Sequence, residues 1–282
     1  MEKVFAGIDE AGRGPVLGPM VYAVGWAPMS KKTELSKMGF KDSKVLTEAQ
    51  RDSLFEKIRS TPWIEFETES ASPEYISSQM LKKEKKSLNK VAMECVVKIL
   101  NGAKMRGAVI EELYVDTLGP PAKYKEFIQR HFPEIPSITV TSKADALFPI
   151  VSAASICAKV TRDRSVRNWR FREKSVVHPD EVGSGYPGDP VTKRWLLDNF
   201  DPFFCFPSFV RFSWATAHTF AKQHGAVEMK WEADDEELKE KEKEQSQLSI
   251  ASLFPKAPTA TNTSQLAVSH SCFFSEAHLN FV

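Results

Sequence analysis

The stretch from Val4 to Pro19 constrains this chain more than any other. A β-prone run, Val4 to Ile8, stops at Asp9-Glu10, and Gly12, Gly14, Pro15, Gly18 and Pro19 follow at once. A strand does not continue through such a density of glycine and proline. The two acids therefore close a strand and stand before a tight loop whose backbone is open to contact.

Met20–Ala27 reads as a second strand, and Thr47 with Gln50 three residues on has the capping-box form that opens a helix to about Arg59. Trp63–Ser70 alternates apolar and polar residues, as a half-buried strand does. Leu88, Val91, Ala92, Cys95, Val96 and Ile99 repeat at helical spacing over Leu88–Leu100. Leu113–Asp116 is a short strand ended by Gly119-Pro120-Pro121, and Pro121 suits the first turn of a helix to about His131. Ile138–Thr141 is a further strand, and a long helix is expected from Phe148 to Arg172, small and apolar early and basic late. Strands interleaved with helices make an α/β domain with a mixed sheet.

The chain has 282 residues, 42% of them hydrophobic, enough to bury a core for one large domain with an appendage. No apolar run approaches the ~20 residues that span a bilayer, and the opening residues have no secretory apolar stretch, which places the chain inside the cell with no membrane partner. Cys95, Cys157, Cys205 and Cys272 form no zinc spacing and read as reduced thiols. The net charge of +1 hides an asymmetry: residues 1–231 carry +6 and residues 232–282 carry −5. A modestly basic body suits an anionic partner such as nucleic acid, and many enzymes of neutral substrates share it. After Trp231 an acidic run and a Ser/Thr/Ala/Pro-rich stretch cannot bury enough apolar surface to fold alone, leaving only the islets Leu248–Phe254 and Cys272–Phe274.

Asp9 ends one expected strand, Asp116 ends another, and Asp145 lies just beyond a third, with Glu10 beside Asp9. Strand ends on one sheet edge converge, so these four acids can gather into a cluster. Carboxylates that close repel unless protons or cations neutralise them, and hard oxygen ligands select Mg²⁺ or Mn²⁺. A two-metal site holds its ions ~3.5–4 Å apart for in-line phosphoryl transfer. Each acid taken alone reads more readily as a turn or helix cap.

Gly12-Arg13-Gly14 leaves backbone groups unshielded, so a hydroxyl or phosphate can approach; a plain glycine-proline turn has the same letters. Lys44, in the turn Asp42-Ser43-Lys44, and Lys143 are point charges for a phosphate or simply solvated lysines. Tyr186, in Gly183-Ser184-Gly185-Tyr186-Pro187, is an aromatic in a flexible loop, able to stack on a sugar or base, or to pack. Lys159, Arg162, Arg164, Arg167, Arg170 and Arg172 give the long helix a charge suited to duplex phosphates, or an ordinary solvated face.

These segments together resemble the type 2 ribonuclease H family. GIDEAGRGPVLGPMVYA from Gly7 is similar to the family's opening signature. Asp42-Ser43-Lys44, Tyr114-Val115-Asp116-Thr117, SKADALFPIVSAASICAKVTRD from Ser142 and GSGYPGDP from Gly183 resemble later motifs in the same order, across residues 4–190. FPSFVRFSWATAHTF from Phe206 and the islet LSIASLF look like the eukaryotic catalytic subunit. The resemblance implies a ribonuclease-H-like mixed sheet flanked by helices (1–190), a smaller helical C-terminal region (191–231) and a low-complexity acidic tail with docking islets (232–282). It implies Asp9, Glu10, Asp116 and Asp145 as metal-binding catalytic acids with Mg²⁺ or Mn²⁺. It implies Gly12, Arg13 and Gly14 as the loop that senses a ribose 2′-OH, Tyr186 at an RNA–DNA junction, and Lys44 and Arg162 on the substrate side.

The implied activity is endonucleolytic cutting 5′ to ribonucleotides, in RNA–DNA hybrids and at single ribonucleotides in duplex DNA, in the nucleus, leaving 5′-phosphate and 3′-hydroxyl ends. The implied partners are two non-catalytic accessory subunits in a heterotrimer. Gln247-x-x-Ile250-x-x-Leu253-Phe254 is also a degenerate sliding-clamp peptide, although subunit docking is the preferred reading. Two rivals stand beside this one. A silent nucleic-acid-binding subunit would not need the four acids, and a small-molecule phosphatase would not need the 2′-OH-sensing loop.

Overall fold

The structure, a computed structural model, describes residues 2–40, 46–117 and 119–226. Two strands, β1 (Lys3–Ala11) and β2 (Met20–Pro28), lead through a 3-10 turn, Met29–Lys31, into α1 (Lys32–Lys37) and α2 (Glu48–Ser60). Then come β3 (Glu65–Ala71), α3 (Pro73–Leu81), α4 (Leu88–Met105), β4 (Val109–Asp116), α5 (Pro121–His131) and β5 (Ser137–Thr141). A short helix α6 (Ala144–Leu147) precedes the long α7 (Pro149–Arg167), followed by α8 (Pro190–Asp198) and α9 (Ala215–Gln223).

The strands form one sheet in the order β3-β2-β1-β4-β5. β2 runs antiparallel to β1 and β3, while β4 runs parallel to β1 and β5, so the sheet is mixed as expected. Alternation along β1 sends Val4, Ala6 and Ile8 into an apolar cluster with α4 and α5, and Phe5 and Ala11 into a second cluster with α7. A third cluster joins Val16 and Leu17 of the loop after β1 to Val182, α8 and residues 205–221.

The expected capping box at α2 is formed in both directions: Thr47 Oγ1 accepts from the Gln50 amide at 3.3 Å, and Gln50 Oε1 accepts from the Thr47 amide at 2.8 Å. The expected long helix is shorter and is preceded by a separate turn. Phe148 is extended (φ −122, ψ 112) because it precedes Pro149, whose ring disfavours a helical residue before it. The helix therefore starts at Pro149, and Asp145 belongs to α6. At the far end Asn168 closes α7, and Trp169 turns into the third cluster, 5.1 Å from the Phe209 ring. Arg170 and Arg172 thus lie off the helix that was expected to carry them.

Cys95, Cys157 and Cys205 are buried free thiols, while Cys272 and both tail islets lie outside the described residues. Among the described residues no helix is long and apolar enough to cross a membrane.

Candidate active site

Helix α7 is held against β1 by backbone contact. A Cβ on Gly7 would lie 2.6 Å from the Val151 amide nitrogen, so only glycine lets the first turn of α7 come this close. Two residues along the strand advance about 6.6 Å and four along the helix about 6 Å, which sets Ser155 level with Asp9. Asp9 accepts a hydrogen bond from Ser155, and Lys159 Nζ donates to Ser155 Oγ at 2.7 Å one turn further on. The Glu10 amide also donates to Asp9 Oδ1, at 2.8 Å.

Asp116 ends β4 beside this point. The last parallel pair is Ile8 with Val115, so Asp9 and Asp116 are the next residues on neighbouring strands and point to the same face. The Ala144 amide donates to Asp116 Oδ1 at 3.1 Å, tying α6 to the strand end and setting the buried Asp145 one residue away. Lys143 makes the bend into α6 in a left-handed conformation, φ 56.

Glu10 leaves the strand on the opposite face, toward Tyr22, its cross-strand partner, and Tyr124 of α5. Burial pushes the Asp9 carboxyl up to about 6, with the Asp116 charge adding to it and Ser155 and Lys159 opposing. Burial pushes Glu10 up to about 8, reinforced by the charges of Asp9 and Asp116 and opposed by Arg13. Asp9, Glu10 and Asp116 therefore share one field. Among the described residues, however, no three His, Cys, Asp or Glu side chains are spaced to hold an ion as they stand. Desolvated like charges favour such spreading.

The Gly12–Gly14 loop is clamped from the C-terminal region. Arg211, fully buried, donates from Nη2 to the Gly12 carbonyl at 2.5 Å, from Nη1 to Arg13 at 3.1 Å and from Nε to Gly18 at 2.8 Å. Trp214 Nε1 donates to the Gly14 carbonyl at 3.1 Å. Gly12 has φ +77, and a Cβ there would lie 2.6 Å from the Arg162 side chain and the Pro19 carbonyl. With these carbonyls held, the loop presents a fixed backbone. Beside it lies a cavity of about 490 Å³ lined by Arg13, Gly14, Met80, Leu88, Ser213, Trp214 and Ala215.

Tyr186 packs its ring edge where a Gly14 Cβ would be, 2.9 Å away, and remains half exposed. Its loop is braced: Asp189 Oδ2 accepts from the Ser184 amide at 2.6 Å and its hydroxyl at 2.7 Å, and Thr192 Oγ1 accepts from the Gly185 amide at 2.9 Å. The loop expected to be flexible is held by the α8 N-cap. Arg162 lies behind Gly12, its side chain largely buried, and reaches the Ser184 carbonyl at 3.4 Å.

The helix expected to present basic residues to phosphates is differently engaged. Arg164 pairs with Asp52 and Glu56 of α2, Arg167 pairs with Glu48, and Lys159 turns inward. Lys44 lies outside the described residues. Sequence reasoning missed Ser155, Arg211 and Trp214 as site residues. For Ser155 a signal existed: Ser155 and Lys159 stand four apart on an otherwise small and apolar helix. Nothing local in the sequence brings residue 211 back to residue 12.

The family model described as Ribonuclease HII matches residues 6–217. A ribonuclease H2 subunit from Caenorhabditis elegans is 45% identical over 279 residues, covering 97% of this chain and 90% of that one. The human ribonuclease H2 subunit of the same name is 44% identical over 239 residues, covering 85% and 79%. Among solved structures, the ribonuclease H2 from Pyrococcus horikoshii has a TM-score of 0.64 at 36% identity, covering 78% of this chain and 98% of that one. The RNase HII from Archaeoglobus fulgidus, solved in complex with PCNA, has a TM-score of 0.61 at 33% identity, covering 75% and 95%.

Proposed function

The chain belongs to the ribonuclease HII family and is a ribonuclease H; from that premise we propose that it cuts the phosphodiester 5′ to ribonucleotides in RNA–DNA hybrids and at single ribonucleotides in duplex DNA, leaving 5′-phosphate and 3′-hydroxyl ends. The observation that carries this reading is the placement of Asp9 and Asp116 on neighbouring strand ends, with Glu10 beside them, next to a backbone loop clamped by Arg211 and edged by Tyr186.

The donor set fits hard divalent cations. Carboxylates at 9, 10, 116 and 145 are oxygen ligands suited to Mg²⁺ or Mn²⁺, and the upward shifts of Asp9 and Glu10 mark carboxyls whose ionised form a cation would stabilise in place of a proton. When bound, two such ions supply Lewis acidity to the phosphate and a more acidic water. The chain's own part is positional. Asp9 is oriented by Ser155 and its field moderated by Lys159, and Asp116 is oriented by the Ala144 amide. Gly12, Arg13 and Gly14 offer a ribose 2′-OH, the group that separates RNA from DNA, a backbone that does not yield. Tyr186 stacks at the junction, and Arg162 and Lys44 serve the substrate side.

The relatives from worm and human are each named as one subunit of ribonuclease H2, which supports assembly with further subunits, two accessory ones in this reading. Phe203 and Phe204, both largely exposed, are surface that an assembly would cover. Docking by the islets at 248–254 and 272–274 belongs to the same proposal, as does weak sliding-clamp binding, which draws on the Archaeoglobus protein solved with PCNA. The biological reading is nuclear removal of misincorporated ribonucleotides and of RNA in hybrids.

The test is hydrolysis of an RNA–DNA hybrid with Mg²⁺ or Mn²⁺, by wild type and Asp116→Asn. Cutting lost on chelation and in the variant, with products that religate as 5′-phosphate and 3′-hydroxyl ends, is expected. Cutting that survives chelation would overturn the metal assignment.

A further inference from the structure

Glu10 and Tyr22 are direct cross-strand partners on β1 and β2, so their side chains leave the sheet on one face. Tyr124 of α5 is buried in the same cluster as Tyr22. Arg13, three residues beyond Glu10, acts electrostatically on both tyrosines and donates through Nη2 to Asn89 Oδ1 at the start of α4. Four polar groups from β1, β2, α5 and the Gly12–Gly14 loop thus meet at one end of an apolar core.

The Tyr22 and Tyr124 hydroxyls and Nη1 of Arg13 are buried without a hydrogen-bond partner of good geometry among the described residues. A buried hydroxyl in that state is unfavourable, and phenylalanine would fill the same space without the penalty. Packing alone therefore does not account for two tyrosines here.

We infer that Tyr22, Tyr124 and Arg13 form a polar cradle that positions the Glu10 carboxylate, with Tyr22 and Tyr124 as positioning residues for the reaction. The inference rests on the reading of Glu10 as a metal ligand. Without the cradle, Glu10 would project into the apolar layer between the sheet and α4 and α5; with it, the carboxylate has buried hydroxyl and guanidinium donors to turn toward. Arg13 belongs to both the cradle and the loop read as the 2′-OH sensor, so a ribonucleotide held against that loop and the Glu10 carboxylate are linked through one side chain. Such outer partners of a ligand typically set about 10–100-fold of metal affinity or activity.

The experiment uses the full chain with its accessory subunits and the variants Tyr22→Phe, Tyr124→Phe and the double variant, with Tyr75→Phe as control. Tyr75 donates to Glu94, away from Glu10. Mn²⁺ affinity is read by electron paramagnetic resonance, and kcat and KM on a duplex carrying one ribonucleotide. Weaker Mn²⁺ binding by about tenfold or more is expected for each cradle variant, with kcat lowered, KM for the duplex little changed, melting temperature held or raised, and Tyr75→Phe like wild type. Unchanged Mn²⁺ binding and kcat in the double variant would overturn the cradle while leaving the nuclease reading intact. A wild type that binds Mn²⁺ and cuts nothing would strike the nuclease reading instead. Should the tyrosine variants misfold, Asn89→Ala, which releases Arg13 from an exposed position, decides: weakened Mn²⁺ binding supports the cradle and unchanged binding overturns it.

Discussion

Arg211 and Gly12, 199 residues apart in sequence, are joined by a 2.5 Å hydrogen bond from the buried guanidinium to the glycine carbonyl. Burial lowers the Arg211 pKa to about 9, which leaves it charged at neutral pH, and its charge is satisfied by three backbone carbonyls. The C-terminal region is thereby tied to the Gly12–Gly14 loop that we propose faces the substrate.

Arg211→Lys keeps the charge and loses the fork. One ammonium does not reach the carbonyls of Gly12, Arg13 and Gly18 together, and charge-assisted hydrogen bonds are worth about 1.5–3 kcal/mol each. The expected outcome is a loss of about 3 kcal/mol of stability by denaturant titration, with activity per folded molecule lowered as well. Full activity in the folded fraction would show that the clamp is structural only.

Gly14→Ala tests the contact with Tyr186. The added Cβ would sit 2.9 Å from the ring, which can swing outward, so stability should change by less than about 1 kcal/mol. Nicking at a single ribonucleotide should fall several-fold further than hybrid cutting if Tyr186 reads the junction, because its ring is displaced. Equal loss on both substrates would remove Tyr186 from junction reading.

The acids make stability fall with pH when no cation is present. Asp9 holds its proton up to about 6 in the folded chain against 3.8 unfolded, and Glu10 up to about 8 against 4.5. Between these values the folded state binds more protons, so stability declines as pH rises from about 4 to about 8. Divalent cations compete with those protons, so the rise in melting temperature on adding Mg²⁺ should be larger at about pH 8 than at about pH 5.5. A Mg²⁺ effect independent of pH would contradict the assignment of these carboxylates as ligands.

Lys159→Met separates two roles for that lysine. Turned toward Ser155, it lowers the Asp9 pKa by its charge, so its removal should move the acidic limb of the rate profile to higher pH. A phosphate contact would instead reduce the salt slope of duplex binding by about one. An unchanged limb with a reduced slope would return Lys159 to the helix surface facing the duplex.

Local signals carried much of the fold. Thr47 and Gln50 announced α2, Pro121 announced α5, and the Gly12–Pro19 density placed the end of β1. Pro149 is equally informative about the break after Phe148, and Ser72-Pro73 about α3, signals that apolar periodicity alone passes over. The positions of Asp9 and Asp116 near strand ends were legible because glycine and proline punctuate those ends. The clamp was not, since Arg211, Trp214 and Gly12 meet only through tertiary packing, and the split of Asp9 and Glu10 onto opposite faces followed from alternation that the acid pair itself concealed.

The most direct measurement is cleavage of end-labelled duplex DNA carrying one ribonucleotide, with Mg²⁺ and the accessory subunits, by wild type and Asp145→Asn, beside an all-DNA duplex. The expected result is one nick 5′ to the ribonucleotide, absent from the all-DNA duplex and lost in the variant. Equal cutting of the all-DNA duplex, or full activity of Asp145→Asn, would contradict the account.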